Sequence, residues 1–204
     1  MPAETIFIVR HAEKPEEEHG RGRVRSGVTI DGKRCESSLS VAGWQRAGAL
    51  AVLFGPHAVQ RGLQTPDRLI AVSYDEVENG EGGKRKGRAP KRRDDTPEHR
   101  PFQTVHPLGR VLDVPITCEW KKGDEAALIA DVLDSGSRVT LICWEHDRIP
   151  SLAERIPLVD EEALPTNWPD YRFDLIWRFR RVARNAVTYD FDEVAQHVLP
   201  GDGT

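Results

Sequence analysis

Thr5-Ile-Phe-Ile-Val9 is a continuous apolar run rich in β-branched residues and too short to persist as a helix. A run of this kind is a strand covered on both faces, so the fold must place helices above and below it. The pattern returns at Arg68-Leu-Ile-Ala-Val-Ser73 and at Arg138-Val-Thr-Leu-Ile-Cys-Trp144, and Val114-Pro-Ile-Thr-Cys118 is also extended. Between the runs the period changes. Val41, Trp44, Ala47, Leu50, Ala51 and Phe54 recur at helical spacing behind Ser40, which is placed to cap the first turn. Asp124 opens a second amphipathic helix through Ala127, Leu128, Ile129, Val132 and Leu133, closed by Ser135-Gly136. Phe102 to Leu112 has mixed helical spacing, Ile149 to Ile156 reads as a short helix, and Phe173 to Phe179 alternates like a strand exposed on one face. This alternation predicts an α/β fold, a three-layer sandwich with a mainly parallel central sheet flanked by helices. Such sheets bind ligands beyond the carboxyl ends of their strands, at a topological switch point.

At 204 residues the chain is expected to form a single domain over 1–204, with a basic, apolar-poor insertion at about 76–99 and a loose tail at 200–204. The insertion carries Lys84-Arg-Lys86, Arg88 and Lys91-Arg-Arg93 but no aromatic residue for stacking on bases. A net charge of −4 gives no overall attraction to nucleic acid or to an anionic membrane, so affinity for phosphate must come from local clusters. No apolar stretch is long enough to span a bilayer, the N-terminus lacks a basic n-region, and Cys35, Cys118 and Cys143 are odd in number. A soluble, cytoplasmic protein is expected, with no membrane partner and with a nucleic-acid partner disfavoured.

Two histidines stand where the sheet would offer a site: His11 follows the first strand, beside Arg10, and His146 follows the strand ending at Trp144. Neither charge nor ring is needed there for packing. Ile6-Phe-Ile-Val-Arg-His-Ala-Glu-Lys14 resembles the opening Arg-His signature of the histidine phosphatase (phosphoglycerate mutase-like) superfamily, and Leu39-Ser-Val-Ala-Gly43 resembles its next segment. Arg100-Pro-Phe-Gln-Thr104 with Pro107-Leu108 is similar to the second-arginine segment, which normally lies close behind a strand ending in Ser, here Ser73; the basic insertion separates the two. Val139 to Asp147, then Ile149-Pro150, resembles the second-histidine segment, with Glu145 where a Gly is usual. The matches run in family order from Ile6 to about Ile156.

The resemblance implies a phosphoglycerate mutase-like fold and hydrolysis of a phosphate monoester on a metabolite or a protein. His11 would attack phosphorus to form a phosphohistidine, with Arg10, Arg100 and His146 holding the transferring group. The chemistry is consistent with this: charge spread over three phosphoryl oxygens is stabilised by preorganised guanidinium and imidazole donors, and no metal or cofactor is required. For such a nucleophile, the other ring nitrogen should donate to a backbone carbonyl. The leaving oxygen needs a proton, and the family generally uses a carboxylic acid for it. Asp147 is favoured by its His-Asp context, while Glu119 and Asp124 lie nearer the mutase glutamate, and Asp124 is also spaced as an N-cap. Lys14, Glu13 and Glu119 are further substrate-binding candidates. Trp44, Trp144, Trp168 and Trp177 read as core or pocket wall, and of these Trp144, beside Glu145-His146, is the one best placed to face a ligand.

Other readings stay open. A phosphomutase would use the same cage in a pocket that excludes water. A non-catalytic phosphate- or RNA-binding module would use the cage together with the basic insertion. A metal hydrolase built on the two histidines fits no compact ligand spacing, and the adjacent arginines would repel a cation. No pattern specifies the leaving group or an oligomeric state.

Overall fold

The computed structural model describes residues 2–15, 26–56, 62–74, 99–183, 185 and 187–203. Apart from His99, the basic insertion lies outside these residues, as does the stretch 16–25. The elements are β1 (Thr5–Arg10), β2 (Gly27–Val28), β3 (Arg34–Cys35), α1 (Val41–Leu53), β4 (Arg68–Ala71), α2 (Arg100–Leu112), β5 (Ile116–Thr117), α3 (Glu125–Asp134), β6 (Val139–Trp144), α4 (Ile149–Ala153), β7 (Leu175–Arg181) and β8 (Tyr189–Ala195). Six strands form one sheet in the order β5-β4-β6-β1-β7-β8, and β2 and β3 form a separate small hairpin.

The sheet is mainly parallel. β5, β4, β6 and β1 run the same way, β7 pairs antiparallel with β1, and β8 antiparallel with β7. β1 and β6 are buried at every residue, as their uninterrupted apolar composition requires. Successive side chains serve opposite faces. Ile6, Ile8, Ile142 and Trp144 pack with Leu128, Ile129 and Val132 of α3 and with Ile149 and Leu152 of α4. Phe7, Val9, Leu141 and Cys143 pack on the other side with Leu50 and Leu53 of α1 and with Val105 and Leu108 of α2. These are the expected three layers.

Ser40 caps α1 through its hydroxyl, which accepts from Gly43 N–H at 3.1 Å. Gly43 is required by close approach: a Cβ there would come within 2.4 Å of the Glu13 carbonyl oxygen. The mixed spacing of 102–112 resolves as α2, with Pro101 in the first turn and Pro107 in the interior. In β7 the alternation is real, but Ile176 interrupts the polar face and is buried among the apolar residues of α1 and α2.

Asp124 occupies the N-cap position of α3, yet its carboxylate does not cap the helix; it accepts from Lys121 N–H at 3.0 Å instead. Trp144 corrects a further expectation. Its ring is fully buried under α3 and α4, with Nε1 directed at Glu125 Oε1 at 3.4 Å, because the even-numbered face of β6 points into the core. The segment after Pro200, expected to be loose, is tied in. Asp202 pairs with buried Arg46 at 2.7 Å and accepts from Val198 and Leu199 N–H, while Gly203 N–H donates to Asp174. β8 was not anticipated.

Candidate active site

The register of β1 against β6 places Arg10 opposite Trp144, so the chain leaves both strands side by side at the same sheet edge. His11 is the first residue beyond β1, and His146 the second beyond β6. Their ring centroids are 6.5 Å apart with the planes nearly perpendicular. The parallel pairing therefore brings together two histidines that are 135 positions apart in the chain.

α2 supplies the next part. Thr104, one turn inside it, accepts from Ala12 N–H at 2.8 Å and donates to the Arg100 carbonyl at 2.7 Å. Gln103 accepts from Leu39 N–H at 2.8 Å and donates to Ser38 Oγ at 2.9 Å, and Glu13 O accepts from Ser40 N–H. The His11 loop, the start of α1 and the first turn of α2 are thus joined by hydrogen bonds. Arg100 is the first helical residue of that turn, at the positive end of the helix dipole.

His11 is 3% exposed, and its Nδ1 lies 2.8 Å from the Ala12 carbonyl oxygen. That carbonyl can only accept, so Nδ1 carries the proton and Nε2 keeps a free lone pair, the tautomer a nitrogen nucleophile needs. Burial, opposed by the Ala12 hydrogen bond and reinforced by the charges of Arg10, Arg100 and His146, pushes the imidazolium pKa down to about 3. The ring is neutral at physiological pH.

Arg10 is also 3% exposed. Its guanidinium carbon sits 3.9 Å from the centroid of the Phe173 ring, and Nη1 donates to the Asp170 carbonyl. Burial lowers its pKa to about 10, with Asp170, Glu145 and Glu13 opposing, so it remains a cation. His146 Nε2 lies 3.0 Å from Asp170 Oδ1, and burial and Arg10 hold its pKa below the usual histidine value. Asp170 and Phe173, which complete this wall, had no motif to announce them.

Three buried nitrogens in this region have no hydrogen-bond partner: Arg10 Nε, Arg100 Nε and His146 Nδ1. Buried polar atoms are normally paired, because an unpaired one costs about 1–3 kcal/mol. All three belong to groups whose charges act on the His11 ring. An anion with several acceptor oxygens is the kind of group that can partner such donors.

The remaining sequence candidates lie elsewhere or are otherwise engaged. Glu13 accepts from Arg46 at 2.9 Å and shares it with Asp202. Lys14 and Glu119 are exposed. The carboxylate of Asp147 is 52% exposed and pairs with Lys122 Nζ at 2.9 Å. Glu145, by contrast, is half-buried, and one of its carboxylate oxygens lies within 4.8 Å of a ring nitrogen of each of His11 and His146. Burial first, then Asp147, raises its pKa against the pull of Arg10 and Lys14. The signal for it was present in the sequence as the residue standing where Gly is usual. His11, Glu145 and His146 also form the kind of cluster that can ligate a metal ion, but the charges of Arg10 and Arg100 act on the same His11 ring and oppose a cation.

No family model matches the sequence, and no curated protein matches it. Solved structures do. One is a protein named as the phosphohistidine phosphatase SixA from Agrobacterium tumefaciens, at 16% identity and a TM-score of 0.50, covering 96% of this chain and 99% of that one. Another is the protein histidine phosphatase SixA complexed with tungstate, at 14% identity and a TM-score of 0.52, covering 94% and 97%. The chain has the histidine phosphatase fold. In a histidine phosphatase fold the sheet edge at β1 and β6 is the carboxyl-end position where α/β proteins bind ligands, and His11 and His146 occupy it.

Proposed function

We propose that the chain is a phosphatase that hydrolyses a phosphorylated substrate through a phosphohistidine at His11, with Arg10, Arg100 and His146 holding the phosphoryl group and no metal or cofactor taking part. The reading is carried by the three unpartnered buried nitrogens, which belong to groups whose charges act on the neutral His11 imidazole. In the free protein they are an energetic cost, and a tetrahedral oxyanion removes it. The two SixA structures, one of them with tungstate, support the same assignment at the level of fold.

In the first half-reaction Nε2 of His11 forms a bond to phosphorus as the bond to the leaving atom breaks. Arg10 and Arg100 donate to the equatorial oxygens. His146, whose Nε2–H is directed at Asp170, takes up a proton at Nδ1 and donates it to a third oxygen as the anion binds. In the second half-reaction water attacks the phosphohistidine, the P–N bond breaks, and phosphate leaves with His11 restored.

The test is turnover of a fluorogenic phosphate ester by the native chain and by His11→Ala. A loss of about a hundredfold or more in kcat is expected for the variant. Retention of most of the activity would remove His11 from the mechanism.

A further inference from the structure

We propose that Glu145 is the proton donor to the leaving oxygen, and that the site is therefore suited to phosphate esters of unactivated alcohols. This deepens the phosphatase reading and rests on it.

Geometry selects Glu145. It is the acidic residue described with a carboxylate oxygen within 4.8 Å of a ring nitrogen of both histidines. During in-line transfer the leaving oxygen stands across the phosphorus from His11 Nε2. A carboxyl this close to a ring nitrogen of each histidine is within reach of a phosphoryl group held between them and of its leaving oxygen. Among the described residues no other carboxylate is grouped with both ring nitrogens: Glu13 pairs with Arg46 through Oε1, Asp147 with Lys122, Asp124 with the Lys121 amide, and Asp170 with His146.

The surroundings suit an acid. Glu145 is half-buried beside Asp147, and both desolvation and that neighbouring charge favour its protonated form. Arg10 and Lys14 oppose them but keep the conjugate carboxylate stable once the proton has left. Binding a phosphate dianion beside the two histidines adds negative charge and further favours the protonated carboxyl.

The step balances. Nε2 of His11 gives its electron pair to phosphorus, the P–O bond breaks toward oxygen, and that oxygen takes the Glu145 proton and departs as the alcohol. Water then attacks the phosphohistidine and gives up its proton to solvent, while the Glu145 carboxylate takes up a proton from solvent. The P–N pair returns to His11, and Glu145 is reset.

The substrate class follows from what the proton is for. A phosphohistidine substrate leaves as an imidazole, which is easily protonated near neutral pH and has little need of a carboxylic acid. An alcohol leaves as a strongly basic alkoxide, and for it general acid catalysis contributes about 10²–10⁴-fold.

The experiment compares kcat/KM of the native chain, Glu145→Gln and His11→Ala on three substrates: an alkyl phosphate, 2,4-dinitrophenyl phosphate, whose leaving group needs no proton, and phosphohistidine. Glu145→Gln is expected to lose about 10²-fold or more on the alkyl phosphate and to stay within about threefold on the other two. An equal loss on all three, or retained turnover of the alkyl phosphate, overturns the proposal. Preserved turnover of the dinitrophenyl ester by Glu145→Gln shows that the variant is folded. Turnover of every substrate by His11→Ala would instead overturn the phosphatase reading itself, so the two failures are distinguishable.

Discussion

Replacing Arg100 with Met should have opposite effects on the free and the anion-bound protein. In the free protein Arg100 is a cation whose Nε is buried without a partner, and burial lowers its pKa. Met keeps the apolar stem and removes the unsatisfied donor, whose cost is about 1–3 kcal/mol. For a domain of this size about 2–4 °C accompanies each kcal/mol, so the variant should melt at the native temperature or several degrees above it. In the proposed anion complex Arg100 should make a charge-assisted hydrogen bond worth about 1.5–3 kcal/mol, so its loss is expected to weaken oxyanion affinity about 10- to 150-fold. At tungstate one hundred times the native Kd, the native chain gains about 2.7 kcal/mol of stability. The variant at that concentration should gain only about 0.3–1.4 kcal/mol. Thermal unfolding followed by circular dichroism, with and without tungstate, measures both effects. A variant that melts well below native without the anion, and still shows the full tungstate shift, would refute the idea that Arg100 is held ready for an oxyanion.

Two further outcomes follow from the same structure. Folded His11 does not take up a proton until about pH 3, whereas the unfolded chain does so below about 6.5. The unfolded state thus binds more protons in that window, and the stability conferred by a neutral buried His11 is lost as pH falls through it. The stability of the native chain relative to His11→Asn, from urea titrations, should therefore decline between about pH 6.5 and 3; a pH-independent difference would show that the ring is not held neutral by burial. Arg46→Ala leaves the buried carboxylate of Asp202 and the partly buried one of Glu13 without their cation, and should cost about 3–5 kcal/mol in the same titration. A cost under about 1 kcal/mol would mean that this cluster does not hold the C-terminal segment against α1.

The layers, the parallel strands and the partnership of His11 with His146 were legible because each rests on a local signal: an uninterrupted apolar run, a change of period, a polar pair at the end of a buried strand. Resemblance to a family segment pointed to Arg100 despite the long basic insertion between it and Ser73, and the structure puts that residue in the first turn of α2 with its charge acting on His11. What escaped was decided by tertiary packing. Trp144 neighbours the site in sequence, but strand alternation turns its ring into the core below α3. Asp124 has the spacing of a cap, but the turn at Lys121 claims its carboxylate. The tail is short and rich in Gly, yet Asp202 meets Arg46 from the middle of α1, a contact across 156 positions that no local pattern encodes. Asp170 and Phe173 reach the site from the approach to β7, and only the antiparallel pairing of β7 with β1 brings them there.

The central claim is that the His11 imidazole becomes covalently bonded to phosphorus. Rapid acid-free quenching of the native chain with a phosphorylated substrate, followed by proteolysis and mass spectrometry, tests it directly. The account predicts a phosphate on the peptide containing His11, stable in base, released by mild acid and absent from His11→Ala. Turnover without any phosphoenzyme, or a phosphate carried by another residue, would contradict it.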